Sequence, residues 1–302
     1  MKKRDILLST LLVTLWGVNF TVIKLGLDGV PSMLLVSLRF LLTSFPAIFF
    51  VKKPKTELKY IILYGLTVGV GQFACLFYAM QIGMPAGIAS IVLQIQAFIS
   101  PLMAMSFLNE KLNSKHIIGL LISAAGLTFI AMASIGNNIN SVPVLAFILM
   151  LAAPAFWAAS NIIARIASDK AAIKGEKLNM VSMVVWSGLV PPVPMMILAL
   201  ILDTPETILN ALINLNATSI FAVFYLAYAA TLIGYGIWSI LIASYPMSMV
   251  APIPLLVPIV ALLSARIVLS EQLSPLQWTG FIVILTGLAI ANTNFIKYFQ
   301  KR

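Results

Sequence analysis

Apolar runs of about 20 residues follow one another from end to end of this 302-residue chain, each long enough to cross ~30 Å of hydrocarbon. They are read as ten spans: Ile6–Leu25, Met33–Val51, Tyr60–Gln81, Ala86–Leu108, His116–Ala133, Val144–Ala167, Met180–Leu202, Ile220–Ala243, Met249–Leu269 and Gln277–Phe295. A helix satisfies its own backbone in lipid, and the alternation of a barrel strand is absent, so the fold class expected is an all-α integral membrane protein. Only 9% of residues are charged, against roughly a quarter in a soluble domain. The opening Met-Lys-Lys-Arg-Asp and the run behind it read as a first span, because the run reaches Lys24 and contains Trp and Asn but no small-residue cleavage site.

The basic residues orient the spans. With the N-terminus in the cytoplasm, sixteen of the nineteen Lys and Arg fall in cytoplasmic segments, Lys24 and Arg266 fall outside, and Arg39 lies within a span. Both termini are then cytoplasmic. The net charge of +10 is accounted for by topology, so no nucleic-acid partner is implied.

The chain also repeats itself. Asn109–Leu127, NEKLNSKHIIGLLISAAGL, is answered by Ser270–Leu288, SEQLSPLQWTGFIVILTGL, with Glu110 matching Glu271, Gly119 matching Gly280 and Gly126 matching Gly287 at a constant offset of 161. Trp16–Lys24, WGVNFTVIK, is echoed by Trp157–Arg165, WAASNIIAR. Self-similarity at a fixed offset marks a duplicated architecture. Residues 1–135 and 143–302 form the two halves. Five spans per half is an odd number, so the halves must be inverted relative to each other, as in carriers that alternate access around a midplane site.

At these residues a family resemblance enters. WGVNFTVIK (16–24), LRFLLTSFPAIFF (38–50), MPAGIASIVLQ (84–94), YGIW (235–238) and LLVP (255–258) resemble the EamA-type carriers of the drug/metabolite transporter superfamily. The resemblance implies a ten-helix inner-membrane carrier of two five-helix repeats that exports small amino-acid-type metabolites, of the cysteine and O-acetylserine kind. One departure bears on the pocket: residues 251–258 read APIPLLVP where the family has APLSLLVP.

Arg39 is the one charge well inside a span. A cation there costs at least ~2.5 kcal/mol on insertion scales, so it must face the interior, either to meet a substrate carboxylate or to be held by neighbouring carbonyls and amides. All nine acidic residues fall in connections or at span edges, which argues against an exporter that trades protons for lipophilic cations at a buried carboxylate. The single histidine, His116, reads as interfacial. Trp16 and Asn19 share a face of the first span, and Trp157 and Asn161 share the equivalent face of the sixth; each pair could line a site or join helices. Tyr228, Thr231, Tyr235 and Trp238 form one stripe at α-helical spacing on the eighth span, and Gln72 and Gln94 are amides too polar for lipid. Pro85 and Gly87 on the fourth span, with Pro254 and Pro258 on the ninth, are expected to break helices and free backbone groups for a ligand or gate.

The expected function is export of a small amino-acid-like molecule by alternating access, with no cofactor, no metal and no enzymatic step: there is no HExxH, no intramembrane aspartate pair and no serine–histidine couple. A drug or nucleobase-like carrier, and more distantly a non-transporting receptor or scaffold, are the alternatives. A homodimer through the glycine faces of the fifth and tenth spans is a further expectation.

Overall fold

The computed structural model describes residues 1–108, 114–134, 142–244 and 253–291, and among them every regular element is helical. Glu110, the residues opening the ninth span at 249–252, the end of the tenth at 292–295 and the basic C-terminus lie outside the described residues.

Prolines and polar caps punctuate the apolar runs. The first run is α1, Lys3–Leu27. Pro31 opens α2, Ser32–Ser44, which continues past Pro46 into a 3-10 turn, Ala47–Phe49. α3 is Leu58–Gln81 and α4, opened by Pro85, is Ala86–Phe107. α5 is Ser114–Ser134. α6, Val144–Ile173, starts behind Pro143 and runs six residues beyond the expected end at Ala167, through the Ala-rich 167–173 with its Arg165–Asp169 pair at i,i+4. α7 (Met180–Ser187) and α8 (Pro192–Leu202) were expected as one span; Gly188, Pro191 and Pro192 bend the pair by 43°. Thr204 caps the short α9, Pro205–Ile213, and Asn216 caps α10, Ala217–Leu241. α11 is Val257–Leu269. α12, Pro275–Ala291, opens with a capping box in which Gln277 Oε1 accepts from the Ser274 amide and Ser274 Oγ from the Gln277 amide.

Among the described residues six helices are long and apolar enough to cross a membrane: α1, α2 with its 3-10 turn, α3, α4, α6 and α10. The bent α7–α8 pair makes a seventh if it is one span. The described part of α11 and the apolar stretch Ile117–Ile130 of α5 are shorter.

α5 and α12 form the most extensive helix pair. A Cβ on Gly126 would lie 2.6 Å from the Gly280 carbonyl oxygen, and one on Gly280 2.6 Å from the Gly126 carbonyl oxygen. Gly287 meets the Gly119 carbonyl at the same 2.6 Å, and Ser123 Oγ donates to the Ile284 carbonyl at 3.2 Å. The glycine faces expected to join two copies thus join the two halves of one chain. The Gly119–Gly287 and Gly126–Gly280 contacts exchange when each partner is moved by 161, so the helices run antiparallel about a local two-fold.

Other irregularities recur at that offset. α3 widens into a π-helical stretch at Gly65–Gln72, and α10 does so at Tyr225–Ile233. α4 is interrupted at Gln94 and Ile95; moved by 161 these fall at residues 255 and 256, in the 3-10 stretch Ile253–Leu256 that leads into α11. In α4 the break lies at Gln94–Ile95, whereas Pro85 and Gly87 stand at the helix start. Pro258 likewise sits in the first turn of α11, where proline is tolerated.

Candidate functional site

α2 is deeply set, with ten of its thirteen residues buried. Met33, Leu34, Leu35 and Val36 are buried, Ser37 Oγ donates to the Pro192 carbonyl, and Ser44 Oγ donates to the Val185 carbonyl. This fixes Arg39, itself only 3% exposed, in the middle of the bundle. Its Nε and Nη2 donate to Thr231 Oγ1 at 3.2 and 3.0 Å. The Thr231 hydroxyl can accept both because its own proton goes to the Leu226 carbonyl at 2.7 Å, five residues back in the π-helical stretch of α10. The Phe73 ring lies under the guanidinium, 4.2 Å from Cζ. Among the described residues no carboxylate pairs with Arg39, and its Nη1 has no hydrogen-bond partner.

Arg39 borders a cavity of about 60 Å³ between α1, α2, α3, α4, α6, α10 and α11, room for a few water molecules. Asn19, Gln72 and Gln94 also line it, each less than a tenth exposed, and the side-chain oxygen of each is buried without a partner among the described residues. Three amide oxygens and one guanidinium nitrogen are therefore left unsatisfied around a single space. Leaving a buried polar group unmatched costs ~1–3 kcal/mol, more for a charged one. Such a concentration of unmatched groups in one place is unusual in a folded interior.

Aromatic rings wall it. Trp16 Nε1 donates to the Ala230 carbonyl at 3.0 Å, and the Trp16 ring meets Tyr235 edge-on at 5.6 Å. The ring fits because position 234 is glycine: a Cβ there would lie 2.5 Å from Trp16 Nε1. Trp157 lines the same cavity from the second half, with Phe20, Leu76, Leu93 and Val257 completing an apolar side.

Trp16, Asn19, Arg39, Gln72, Gln94, Trp157, Tyr235 and Pro254 are thus brought together on one cavity. Three expected wall or contact residues are not on it. Asn161 Nδ2 donates instead to Gln96 Oε1 at 3.1 Å and Ser100 Oγ at 3.2 Å, on an exposed face. Tyr228 packs against Phe224, and Trp238 stands behind Trp16 with ring centres 6.0 Å apart, beside Leu12 and Leu241. The stripe at α-helical spacing loses Tyr228 because α10 is π-helical from Tyr225 to Ile233, and a wider turn changes which residues share a face; Trp238 lies beyond that stretch, in Gly234–Ser244, and packs toward Leu12 of α1. Phe73 went unread in the sequence: a ring beside Gln72 in an apolar run looks like core until Arg39 is found on top of it.

Comparison with known proteins matches residues 3–132 and 144–293 to the EamA-like transporter family. Proteins named "Probable amino-acid metabolite efflux pump" from Escherichia coli (strain K12) and Salmonella typhimurium are each 42% identical to this chain over 290 residues, covering 96% of it and 95% of themselves. A "Probable terminal-alkyne amino-acid exporter" of Streptantibioticus cattleyicolor is 25% identical over 297 residues, covering 93% of this chain and 91% of its own. One crystal structure, 15% identical, superposes with a TM-score of 0.65 over 99% of each chain and shares the fold.

Proposed function

We propose, from the premise that this chain belongs to the EamA-like transporter family, that it exports small amino-acid-type metabolites by alternating access around the central cavity. The chain is a membrane transporter and not an enzyme. Its substrate class is supported by the names of its 42%-identical relatives and, independently, by the unmatched atoms of the cavity. One guanidinium nitrogen without an anion and three amide oxygens without donors complement a carboxylate and an ammonium on one small molecule. Charge-assisted bonds of this kind contribute ~1.5–3 kcal/mol each. Trp16, Trp157 and Tyr235 would cover the substrate's side chain. The limited volume favours small ones of the cysteine and O-acetylserine type.

In this reading the protein lies in the bacterial inner membrane with both termini in the cytoplasm. Counting α5, α11 and α12 as spans gives ten, arranged as two inverted five-helix repeats, 1–135 and 143–302. The reciprocal glycine contacts and the irregularities shared at an offset of 161 support that arrangement. The glycine faces are already occupied within one chain, so a homodimer would use another surface.

The aromatic walls would also suit a planar drug or nucleobase. Efflux of labelled cysteine and O-acetylserine from cells expressing the chain, beside an equally expressed Arg39→Ala variant, separates the readings. Export that disappears in the variant is expected. Export of neither compound by well-folded protein would overturn the amino-acid reading in favour of the wider carrier, and binding of a protein partner with no transport would favour a receptor.

A further inference from the structure

The cavity leaves one motif unexplained: Glu271, the acidic residue of the repeated turn. It sits between α11 and α12 but acts on α4. Its Oε1 accepts the Ala86 amide at 2.8 Å and its Oε2 the Gly87 amide at 3.0 Å. Both amides belong to the first turn of α4, where backbone donors have no helical partner and the helix dipole favours an anion. The backbone is bent to bring it there. Ser270 ends α11 in the left-handed region, at φ 56°, and the Glu271 amide bonds back to the Ala265 carbonyl at 3.3 Å. Glycine at 87 is what lets the carboxylate and α11 approach, since a Cβ would lie 2.8 Å from Leu262 Cδ2 and 3.4 Å from Glu271 Oε2.

The segment so gripped is short, buried and broken at its far end. All eight residues of Ala86–Leu93 are buried, and the helix is interrupted at Gln94–Ile95, where the Gln94 and Ile95 amides make tight-turn bonds to Ile91 and Val92. Gln94 lines the central cavity, and its oxygen is one of the three unmatched acceptors. One rigid piece therefore touches the cavity at one end and Glu271 at the other. The Glu271 end is not tightly packed: it borders a cavity of about 90 Å³ lined by Arg266, Gln272 and Trp278, which has room for water and brings a guanidinium beside a released carboxylate.

We propose that Glu271 is a latch that holds one end of the transport path closed by gripping the half-helix Ala86–Leu93, which swings about Gln94–Ile95 when the grip is released. This rests on the transport reading, and the latch is a positioning device that does not touch substrate. A guest drawing on Gln94 shifts the hinge, and Glu271 exchanges its two amides for the hydrated cavity beside it.

The test needs no substrate. In a chain with Cys75→Ser and a reporter Leu93→Cys, labelling by a membrane-impermeant maleimide is timed from each face in right-side-out and inside-out vesicles. A separate Gln272→Cys chain identifies the face that carries Glu271. Glu271→Gln keeps the size but offers only one acceptor oxygen to two amides; it should raise labelling from that face at least tenfold and leave the other face unchanged. Gly87→Ala, which crowds the grip without removing it, should raise it severalfold in the same direction, and it carries the test alone if Glu271→Gln does not accumulate as folded protein. Unchanged labelling from the Glu271 face, or an equal rise from both faces, would overturn the latch. Failure of the amino-acid reading would instead show as absent cysteine export, with the labelling result intact.

Discussion

The α5–α12 seam and the central cavity are both built where helices of the two halves meet, and they solve that meeting in opposite ways. At the seam both halves present glycine, so the backbones approach until carbonyl oxygens lie 2.6 Å from where a Cβ would stand, with Ile130 and Ile284 packed beside them and Ser123 bonding across. At the cavity both halves present a tryptophan, and the first half adds Asn19, Arg39, Gln72 and Gln94. Side chains that large hold helices apart and leave donors and acceptors without mates. Small residues pack membrane helices tightly; polar ones inside a bundle are costly and face its interior or a cavity. The seam is also symmetric across the repeat, whereas the cavity's cation comes from one half alone. A lock benefits from symmetry, and a site for an asymmetric molecule does not.

Breaking the seam should have the largest effect. Gly280→Val places a branched side chain against the Gly126 carbonyl oxygen, the Ile130 side chain and the Ile130 amide nitrogen, and two of these three are backbone that cannot yield. Loss of monodisperse protein on size-exclusion chromatography is expected; a normal yield would show that the seam is not what joins the halves. Next comes the cavity's charge. Arg39→Gln should fold, since an amide can still reach Thr231, but lower the initial rate of amino-acid transport by about 10- to 100-fold, the worth of one or two charge-assisted bonds. A smaller loss is expected from Trp16→Phe, which keeps a ring beside Tyr235 but removes the 3.0 Å bond to the Ala230 carbonyl; about 1 kcal/mol corresponds to roughly a fivefold fall in rate. Smallest is Asn161→Ala. Its partners are Gln96 and Ser100, outside the cavity, so transport should change by less than about twofold; a loss as large as that of Arg39→Gln would redraw the site.

How much of this was legible in the sequence follows from what hydropathy and spacing can register. The helical class and the duplicated turn were plain because length in lipid and a constant offset are one-dimensional properties. The bend between α7 and α8 was hidden because Gly188, Pro191 and Pro192 sit inside an unbroken apolar run. At the cavity, Arg39, Gln72 and Gln94 stood out as polarity where lipid forbids it. Tyr228 was drawn in by an assumption of 3.6 residues per turn that the π-helical stretch of α10 breaks, and Trp238 by its spacing from Tyr235, which cannot show that it packs toward Leu12 of α1. Phe73 and the grip of Glu271 on Ala86 and Gly87 depend on neighbours 34 and about 185 residues away, and no local pattern carries that information.

The most direct test of the account is competition in proteoliposomes. Uptake of labelled cysteine by the native carrier is challenged with an unlabelled amino acid, its methyl ester and its N-acetyl form. If Arg39 Nη1 takes a carboxylate and the amide oxygens of Asn19, Gln72 and Gln94 take an ammonium, the free amino acid competes at least tenfold better than either blocked form. Arg39→Gln should erase the discrimination against the ester alone. Equal competition by all three in the native carrier would contradict the account, and the cavity would then be a site for shape and ring surface instead of charge.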